Sequence, residues 1–523
     1  MDPNTATQQL LAVPPEQHLL EGPVSTQSLK ELLPASSSLA ALEQLRQWLG
    51  ELVALGNCPL EHCLDVIEQV DKLADLYQLR LVPQYLDTQR MRKIGESEIW
   101  QTTFAYWHQL GDAYRHCLLR FQAAPDELRD FRPHLPLVLT RLLHTLSRQH
   151  HWTLLRYAHL DGRIWHELGQ SYLLAESWGL ADRHAALHPG RAGESTPKQE
   201  LLKTLMLAMA APEALPPTQL YIAERVAARL GSQFALHATA GPGCTFCFDL
   251  SLHQPPRRAQ GGAATVTAPL LRFFGAGTSA LGLQKLLAAA RQPGQLQREL
   301  GLHSELSPDD MLKTLQHLER HWTDARPARR SEREHVMSRL TVLPGLLPAL
   351  HWLGELQKSG AAETPINPRA ENWVVSDHGA GGFGAILPAQ PSDWLSVGTL
   401  IITRLEGSAA PRVGLLKRIT TDNGTDYRVG VELIGQQAAR VTLHPTLTAP
   451  SEGLASIGQA AILLSLKPDE QGGVDLLLPP HALTSTRHLK MQVGSKIFII
   501  DSPVTVGQGP DYRLVRYRLD RPD

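Results

Sequence analysis

Hydrophobic residues recur every three or four positions through most of the first 320 residues. In the first such stretch they are Leu39, Leu42, Leu45, Leu49 and Leu52. This spacing places side chains on one face of an α-helix. Similar stretches extend to about residue 231 and return at 277–292 and 307–322. The pattern predicts an α-helical domain over 28–322, preceded by a mobile Pro- and Gln-containing leader over 1–27.

The helical spacing of hydrophobic residues is interrupted at two places. Near 233–250, two short β-type runs flank a Gly-Pro turn, which predicts a β-hairpin inside the helical domain. At 323–335 the chain is charged, arginine-rich and interrupted by proline, as expected of a linker.

Beyond about residue 370, short β-type runs recur between turn residues such as Asp422-Asn-Gly. Strands at this spacing predict a small antiparallel β-barrel over 336–448, with a partly helical insertion at 336–356. A further β-rich region at 455–523 either completes this barrel or forms a second one. The fold class expected is multidomain α+β, with an all-α helical-pair scaffold followed by β structure.

Composition narrows the functional classes. Hydrophobic residues make up 43% of the chain, so sizeable cores can form. Lys and Arg total 50 against 52 Asp and Glu, which argues against a surface built to hold a nucleic-acid polymer. There is no long uncharged apolar run and no basic, apolar N-terminal signal, so we expect a cytoplasmic protein without membrane insertion.

A glycine-rich loop follows the β-type run that begins at Trp373. Gly379, Gly381 and Gly384 fit the dinucleotide-binding spacing G-x-G-x-x-G, but that motif requires a helix to begin at its last glycine. Here Ala385-Ile-Leu-Pro follows instead. The loop is therefore predicted to be a strand–turn–strand connection.

A second pattern overlaps the same loop. An R-x-x-x-R motif in the linker precedes a D-x-G-x-x-G sequence. Guanidinium groups bind phosphates in bidentate fashion, a carboxylate accepts hydrogen bonds from a guanine edge, and glycine lets a flat base approach the backbone. The candidate ligand-binding residues are Arg329, Arg330, Arg333, Asp377, Gly379 and Gly382.

Residues 326–445 resemble the PilZ family of cyclic di-GMP receptors through these two motifs and the later strand-like runs. The resemblance implies a six-stranded antiparallel barrel that binds cyclic di-GMP without any cofactor, using Arg329, Arg333, Asp377 and Gly382. It also implies a non-enzymatic signalling role in bacterial motility, surface attachment or biofilm control.

This sequence departs from the PilZ pattern in two ways. Gly379 replaces the motif serine and offers no hydroxyl, and 43 residues separate Arg333 from Asp377, more than is usual in the family. A lost hydroxyl bond costs about 0.5–1.5 kcal/mol, at most about a tenfold weakening. The alternative is a ligand-independent interaction protein whose barrel serves only as a docking module. Whether nucleotide binding survives is a question for experiment.

The helical half contains the pattern W-x2-L-G-x2-Y twice, at Trp107–Tyr114 and Trp165–Tyr172. It resembles the first helix of a tetratricopeptide repeat. The copies are 58 residues apart and the later repeat positions do not match, so an irregular helical-pair scaffold is the better prediction. Such a scaffold would bind an unidentified protein partner, or the pattern reflects ordinary helix packing in which glycine permits a close approach.

The sequence offers little support for a metal site or a catalytic site. Cys58, Cys63, Cys244 and Cys247 would make a four-thiolate zinc site only if the second pair left its apparent strand, so buried packing thiols are predicted. The pair His150-His151 is predicted to lie at a helix boundary and is assigned to polar capping or packing. No nucleophile, phosphate-loop or metalloprotease motif occurs, so no catalytic residue and no metal ligand is predicted. An unrecognised enzyme in the helical half is the less favoured alternative.

Together these patterns predict a non-enzymatic adaptor. Cyclic di-GMP would draw the arginine linker onto the barrel and change how the helical half is presented to its partner, through differential affinity for two arrangements. The sequence does not identify the partner, the pathway or the oligomeric state.

Overall fold

The computed structural model describes fifteen stretches of the chain. They are 25–56, 58–87, 93–187, 193–241, 243–259, 269–302, 306–322, 334–359, 370–388, 394–406, 411–422, 426–435, 437–445, 458–482 and 488–519. They fall into two compact units. The helical unit lies within Met1–Thr153, Leu160–Ala210 and Tyr221–Asp324, and the barrel unit within Leu154–His159, Ala211–Leu220 and Ala325–Asp523.

The helical unit is built from eleven helices among the residues described, one of which, α8, begins in the barrel unit. They are α1 (Thr26–Glu31), α2 (Ser38–Ala54), α3 (Leu60–Leu86), α4 (Lys93–Ala123), α5 (Leu135–Leu154), α6 (Gly162–Ser177), α7 (Pro197–Ala208), α8 (Pro217–Leu230), α9 (Ser279–Ala289), α10 (Gln295–Leu300) and α11 (Pro308–Trp322). Short 3-10 helices occupy Arg129–His134, Pro212–Ala214 and Gly231–Gln233.

Helix α2 illustrates how the sequence pattern produces these helices. The side chain of Ser37 accepts a hydrogen bond from the Ala40 N–H at 3.2 Å, which caps the first turn. Four of the five leucines that define the predicted face are buried; Leu39, in the first turn, is half-buried. The predicted helix is confirmed.

Six short strands accompany the helices. They are β1 (Ala185–Ala186), β2 (Glu194–Ser195), β3 (Ala235–His237), β4 (Phe246–Asp249), β5 (Arg257–Arg258) and β6 (Leu271–Gly275). The hairpin predicted near 233–250 is wrong, because β3 and β4 do not pair with each other. Both pair with β6, in a sheet of order β3-β6-β4-β5. Strand β6 is buried along its whole length and lies between β3 and β4 in this sheet.

The glycines of the repeated W-x2-L-G-x2-Y pattern permit close approach, as predicted. A Cβ on Gly111 of α4 would lie 2.9 Å from the Thr145 hydroxyl of α5, and one on Gly169 of α6 would overlap the Leu250 carbonyl oxygen. One glycine therefore faces a helix and the other faces the loop after β4.

The barrel unit contains two closed six-stranded antiparallel barrels. The first is ordered β10-β11-β12-β9-β8-β7, with strands β7 (Glu334–Pro344), β8 (Glu371–Gly379), β9 (Gly382–Pro388), β10 (Leu400–Leu405), β11 (Arg412–Asp422) and β12 (Asp426–Gly435). The second is ordered β13-β14-β15-β18-β17-β16, with strands β13 (Ala439–Pro445), β14 (Gln459–Leu463), β15 (Gly473–Leu478), β16 (His488–Val493), β17 (Lys496–Gln508) and β18 (Arg513–Leu519).

The expected fold class, helices followed by antiparallel barrels, is confirmed. The C-terminal β-rich region forms a barrel of its own, which takes β13 as one of its strands. The sequence pattern had grouped β13 with the first barrel, but it pairs with β14 and β16.

The segment predicted to be a partly helical insertion is strand β7 followed by helix α12 (Leu346–Ser359). Leu353 and other apolar residues of α12 share one hydrophobic core with Ile402 and Val413 of the first barrel and with Ile462 and Leu477 of the second. The N–H of Leu346 donates to the Asp511 carboxylate at 2.6 Å. The predicted insertion is therefore wrong for β7, which is a strand of the first barrel, whereas helix α12 joins the two barrels.

Two short segments from the helical half belong to the barrel unit, residues 154–159 and 211–220. Tyr157 lies in the hydrophobic core of the first barrel with Trp373 and Leu416. Its carbonyl oxygen accepts a hydrogen bond from the Thr421 N–H at 3.0 Å. The core of the first barrel therefore includes a residue that precedes Trp373 and Thr421 by more than 200 positions in the chain.

Candidate functional site

The D-x-G-x-x-G residues lie together at one end of the first barrel. Strand β8 ends at Gly379 and β9 begins at Gly382, so Ala380 and Gly381 form a two-residue turn. The predicted strand–turn–strand connection is confirmed, and a strand rather than a helix follows the glycines. Because the turn closes a tight hairpin, Asp377, Gly379 and Gly382 come within one small surface.

Backbone contacts fix this hairpin. The Leu433 N–H donates to the Gly381 carbonyl oxygen at 3.0 Å, and a Cβ on Gly382 would overlap the carbonyl oxygen of Val431. Gly382 is thus required for β9 to lie close against β12. The backbone on the Gly381 side is open, since a Cβ there would meet nothing within 4 Å.

Asp377 has a defined position beside the turn. Its Cα pairs across the hairpin with Gly384, and its carboxylate occupies the space that a Cβ on Gly384 would fill. The Ser376 hydroxyl donates to Asp377 Oδ2 at 3.3 Å. In the sequence, Gly384 matched only the rejected dinucleotide-binding spacing G-x-G-x-x-G. Its role here is to make room for the carboxylate.

The first residues of strand β7 pair with the end of β8 beside the turn. Glu334 and His335 pair with His378 and Asp377, respectively. The three candidate arginines, Arg329, Arg330 and Arg333, lie outside the described residues. Glu334, which pairs with His378 beside the turn, is the residue directly after Arg333 in the chain.

The structure adds Arg412 and His378 to the candidate site. Arg412 begins β11, and its Nη1 lies 3.4 Å from the Nε2 of His378, so the guanidinium donates and the imidazole accepts. Both side chains are half-buried. Strands β10 and β7 separate these residues in the barrel order, so the contact spans this end of the barrel. No local sequence signal indicated it.

The assembled barrel end has the chemistry of a binding surface. It combines a carboxylate acceptor, a guanidinium, an imidazole and an open glycine backbone. Within the described part of the chain, no group of three or more His, Cys, Asp and Glu side chains is placed to hold a metal ion. No described helix is long and apolar enough to cross a membrane.

The cysteines considered for metal binding lie in two different settings. Cys63 is buried at the start of α3, where its thiol donates to the Cys58 carbonyl oxygen at 3.6 Å, and burial raises its pKa to about 12. Cys247 lies in the buried core beside Leu271 and Phe273 of β6. Burial raises the pKa of Cys247 as well. The environments are those of packing thiols.

His150 and His151 are buried within α5, and burial lowers the pKa of each to about 3. They are therefore neutral at physiological pH. His150 packs edge-on against Trp165, with ring centroids 5.2 Å apart. Both histidines contribute to the packing of the helical unit, as assigned from the sequence.

Comparison with known families bears on the helical half. Residues 25–240 match a family described as cyclic-di-GMP receptor FimW, N-terminal domain. The match covers less than half of the chain and ends before both barrels. No curated protein matches the chain.

The FimW-like region contains both copies of the W-x2-L-G-x2-Y pattern and the two segments, 154–159 and 211–220, that join the barrel unit. The chain is thus similar to a cyclic-di-GMP receptor outside the part that carries the arginine and aspartate motifs. The tetratricopeptide resemblance of these helices and the PilZ resemblance of 326–445 remain predictions.

Proposed function

We propose that the protein is a non-enzymatic receptor for cyclic di-GMP and that the first barrel holds the nucleotide. The observation that carries the proposal is a convergence of two separate parts of the chain. The helical half resembles a cyclic-di-GMP receptor domain, and a closed six-stranded barrel presents Asp377 beside the strand that follows the arginine motif.

In the proposed site, the Asp377 carboxylate accepts hydrogen bonds from the N1–H and N2–H₂ groups of one guanine. The open backbone at Gly381, two residues after Gly379 in the same turn, admits the flat base. Arg329 and Arg333 bind the phosphates in bidentate fashion, with Arg330 beside them. Arg412 adds a further guanidinium at the same barrel end, and no sequence motif indicated this residue.

Binding would hold the arginine-rich segment against the barrel end. Cyclic di-GMP can then regulate a protein partner of the helical unit only by its differential affinity for two states of the chain. Control of motility, attachment or biofilm formation in a bacterium is the output that the PilZ resemblance favours. The protein partner of the helical unit is part of this proposal.

Isothermal titration of the full chain with cyclic di-GMP tests the proposal. Wild type should bind with micromolar or tighter affinity, and the Arg329→Ala/Arg333→Ala variant should lose binding. Asp377→Asn should weaken it, because an amide presents one acceptor oxygen where the carboxylate presents two. Arg428→Ala is the matched control, since Arg428 pairs with Ile386 toward the opposite end of the barrel.

The ligand-independent alternative makes the opposite prediction. If the wild-type chain shows neither heat nor a thermal shift at ligand concentrations well above micromolar, the barrel is a docking module and the receptor proposal fails. Equal binding by wild type and the double-arginine variant would instead show that the site lies elsewhere.

A further inference from the structure

The outer face of the second barrel carries an apolar row along β17. Leu489 and Met491 of the neighbouring β16 are in the barrel core, so Lys490 and Gln492 point outward. Ile499 and Ile497 pair with these two outward residues and therefore point outward as well. They are 41% and 65% exposed, respectively.

A β-bulge continues this row past the middle of the strand. Between Asp501 and Val504, β17 contains one residue more than β18, and Ser502 there adopts a left-handed φ of 50°. The extra residue brings Val504 opposite the outward-facing Arg516. Val504 is 60% exposed, and Val506, at the next irregularity, is 54% exposed. Without the bulge, the alternation of the strand would turn Val504 into the core.

Basic residues flank the row. Lys490 lies opposite Ile499, Arg516 opposite Val504, and Arg518 opposite Asp501 on the other side. Lys496 begins the strand itself and is exposed. Asp475 and Asp469 lie 2.8 and 3.8 Å from the Arg516 guanidinium and compensate its charge within the barrel, and Asp501 of β17 lies opposite Arg518. The exposed Lys490 and Lys496 supply the remaining positive charge of the flank. An apolar row flanked in this way is complementary to an apolar surface that carries negative charge.

The shape of the row selects among such surfaces. The outer wall of a barrel is convex, and four aliphatic side chains expose on the order of a few hundred Å². A stable protein interface takes about 800 Å² from each partner, together with a complementary shape. A lipid headgroup layer needs no complementary shape, accepts a narrow apolar ridge and attracts Lys and Arg when its lipids are anionic.

We propose that the β17 row, Ile497, Ile499, Val504 and Val506 with its basic flank, binds the surface of an anionic lipid bilayer. The contact is peripheral: the aliphatic side chains enter the headgroup region while the lysines and arginines remain among the phosphates. This binding does not depend on the nucleotide site and would place the second barrel against a membrane.

Vesicle flotation of the full chain tests this proposal. Vesicles of phosphatidylcholine alone are compared with vesicles containing equal amounts of phosphatidylcholine and phosphatidylglycerol. We expect the chain to float with the anionic vesicles at about 0.1 M salt and to be released at about 1 M. The added salt shortens the range of the electrostatic attraction from about 10 Å to about 3 Å. The Ile497→Thr/Ile499→Thr/Val504→Thr variant should bind about tenfold more weakly.

Threonine suits exposed strand positions, so this variant should keep the barrel folded, which a thermal melt checks. Lys490→Glu should weaken binding to anionic vesicles in particular. Leu281→Thr is the matched control, because Leu281 is also 65% exposed but lies on α9 of the helical unit. It should bind as wild type does.

Two outcomes would overturn the proposal. One is that wild type fails to float with anionic vesicles or that the triple-threonine variant floats equally well. The other is a concentration-dependent dimer, seen by light scattering, that the same variant abolishes, which would make a second copy of the chain the occupant of the row.

Discussion

The phenol oxygen of Tyr157 accepts a hydrogen bond from the backbone N–H of Val397 at 3.2 Å, across 240 positions of the chain. The Ser396 hydroxyl lies 3.4 Å from the same oxygen. Tyr157 has a left-handed φ of 56°, which is unfavourable for a residue with a side chain. Its buried ring and its hydrogen bonds therefore offset a local backbone cost.

We predict that Tyr157→Phe destabilises the barrel unit by about 1–3 kcal/mol, because the buried Val397 N–H loses its acceptor. Tyr157→Ala should cost about 3–5 kcal/mol, since it also leaves a cavity in the barrel core. Chemical denaturation of the full chain measures both changes. Equal stability of wild type and Tyr157→Phe would show that this hydrogen bond contributes nothing.

Ala211 has a left-handed φ of 52° in the second segment that joins the barrel unit. Glycine adopts this conformation freely, so we predict that Ala211→Gly stabilises the protein, by up to about 1 kcal/mol. As a control, Ala288→Gly on the exposed face of α9 should destabilise it by about 0.5–1 kcal/mol. Thermal melts of the two variants should shift in opposite directions.

Gly169 is required where α6 meets the loop after β4. We predict that Gly169→Ala destabilises the helical unit by at least about 2 kcal/mol, because its Cβ would overlap the Leu250 carbonyl oxygen and the backbone must move. Gly50→Ala on α2 is the control, since its nearest neighbours would lie 3.8 Å away. That variant should gain about 0.5–1 kcal/mol from helix propensity. Urea denaturation distinguishes the two.

Stability of the helical unit should fall as the solution is acidified. Burial lowers the pKa of His150 to about 3, and burial together with Arg148 does the same for His151. Burial and the Lys203 ammonium lower the pKa of His144 to about 3. Between about pH 6.5 and 3 the unfolded chain therefore binds more protons than the folded one, and the free energy of unfolding drops as pH falls.

Buried acidic groups extend this dependence below pH 4.5. Burial raises the pKa of Glu224, but Arg148 and Lys203 outweigh it and bring that pKa to about 2, so its contribution is lost between about pH 4.5 and 2. Urea denaturation at pH 7 and 5 measures the histidine effect. His150→Leu should reduce the pH dependence by about one proton.

The missing motif hydroxyl can be restored. Gly379 is the last residue of strand β8, whose extended backbone serine can adopt, and we predict that Gly379→Ser tightens cyclic di-GMP binding by up to about tenfold. Gly507→Ser, on β17 of the second barrel, where a Cβ would have its nearest neighbour 3.8 Å away, should leave affinity unchanged. Isothermal titration compares them. Equal effects at both positions would mean that any added hydroxyl, not the motif position, is responsible.

The sequence by itself determined the features that depend on local periodicity. The leucine spacing of α2 reflects which face is buried. The β8–β9 connection followed from glycines flanked by β-type runs, which also placed Asp377 beside the turn. These features need only the short-range pattern, because burial repeats every 3.6 residues in a helix and every two in a strand.

Tertiary structure decided what depends on distant partners. Strand β6 separates β3 from β4, and β13 pairs within the second barrel. A strand pairs with the neighbouring strand that satisfies its backbone hydrogen bonds and buries its apolar face, and that neighbour can lie far away in the sequence. Arg412 reaches His378, and Tyr157 enters the first barrel, only because barrel closure brings these residues together. Local sequence patterns specify which face is buried but not the distant residue that covers it.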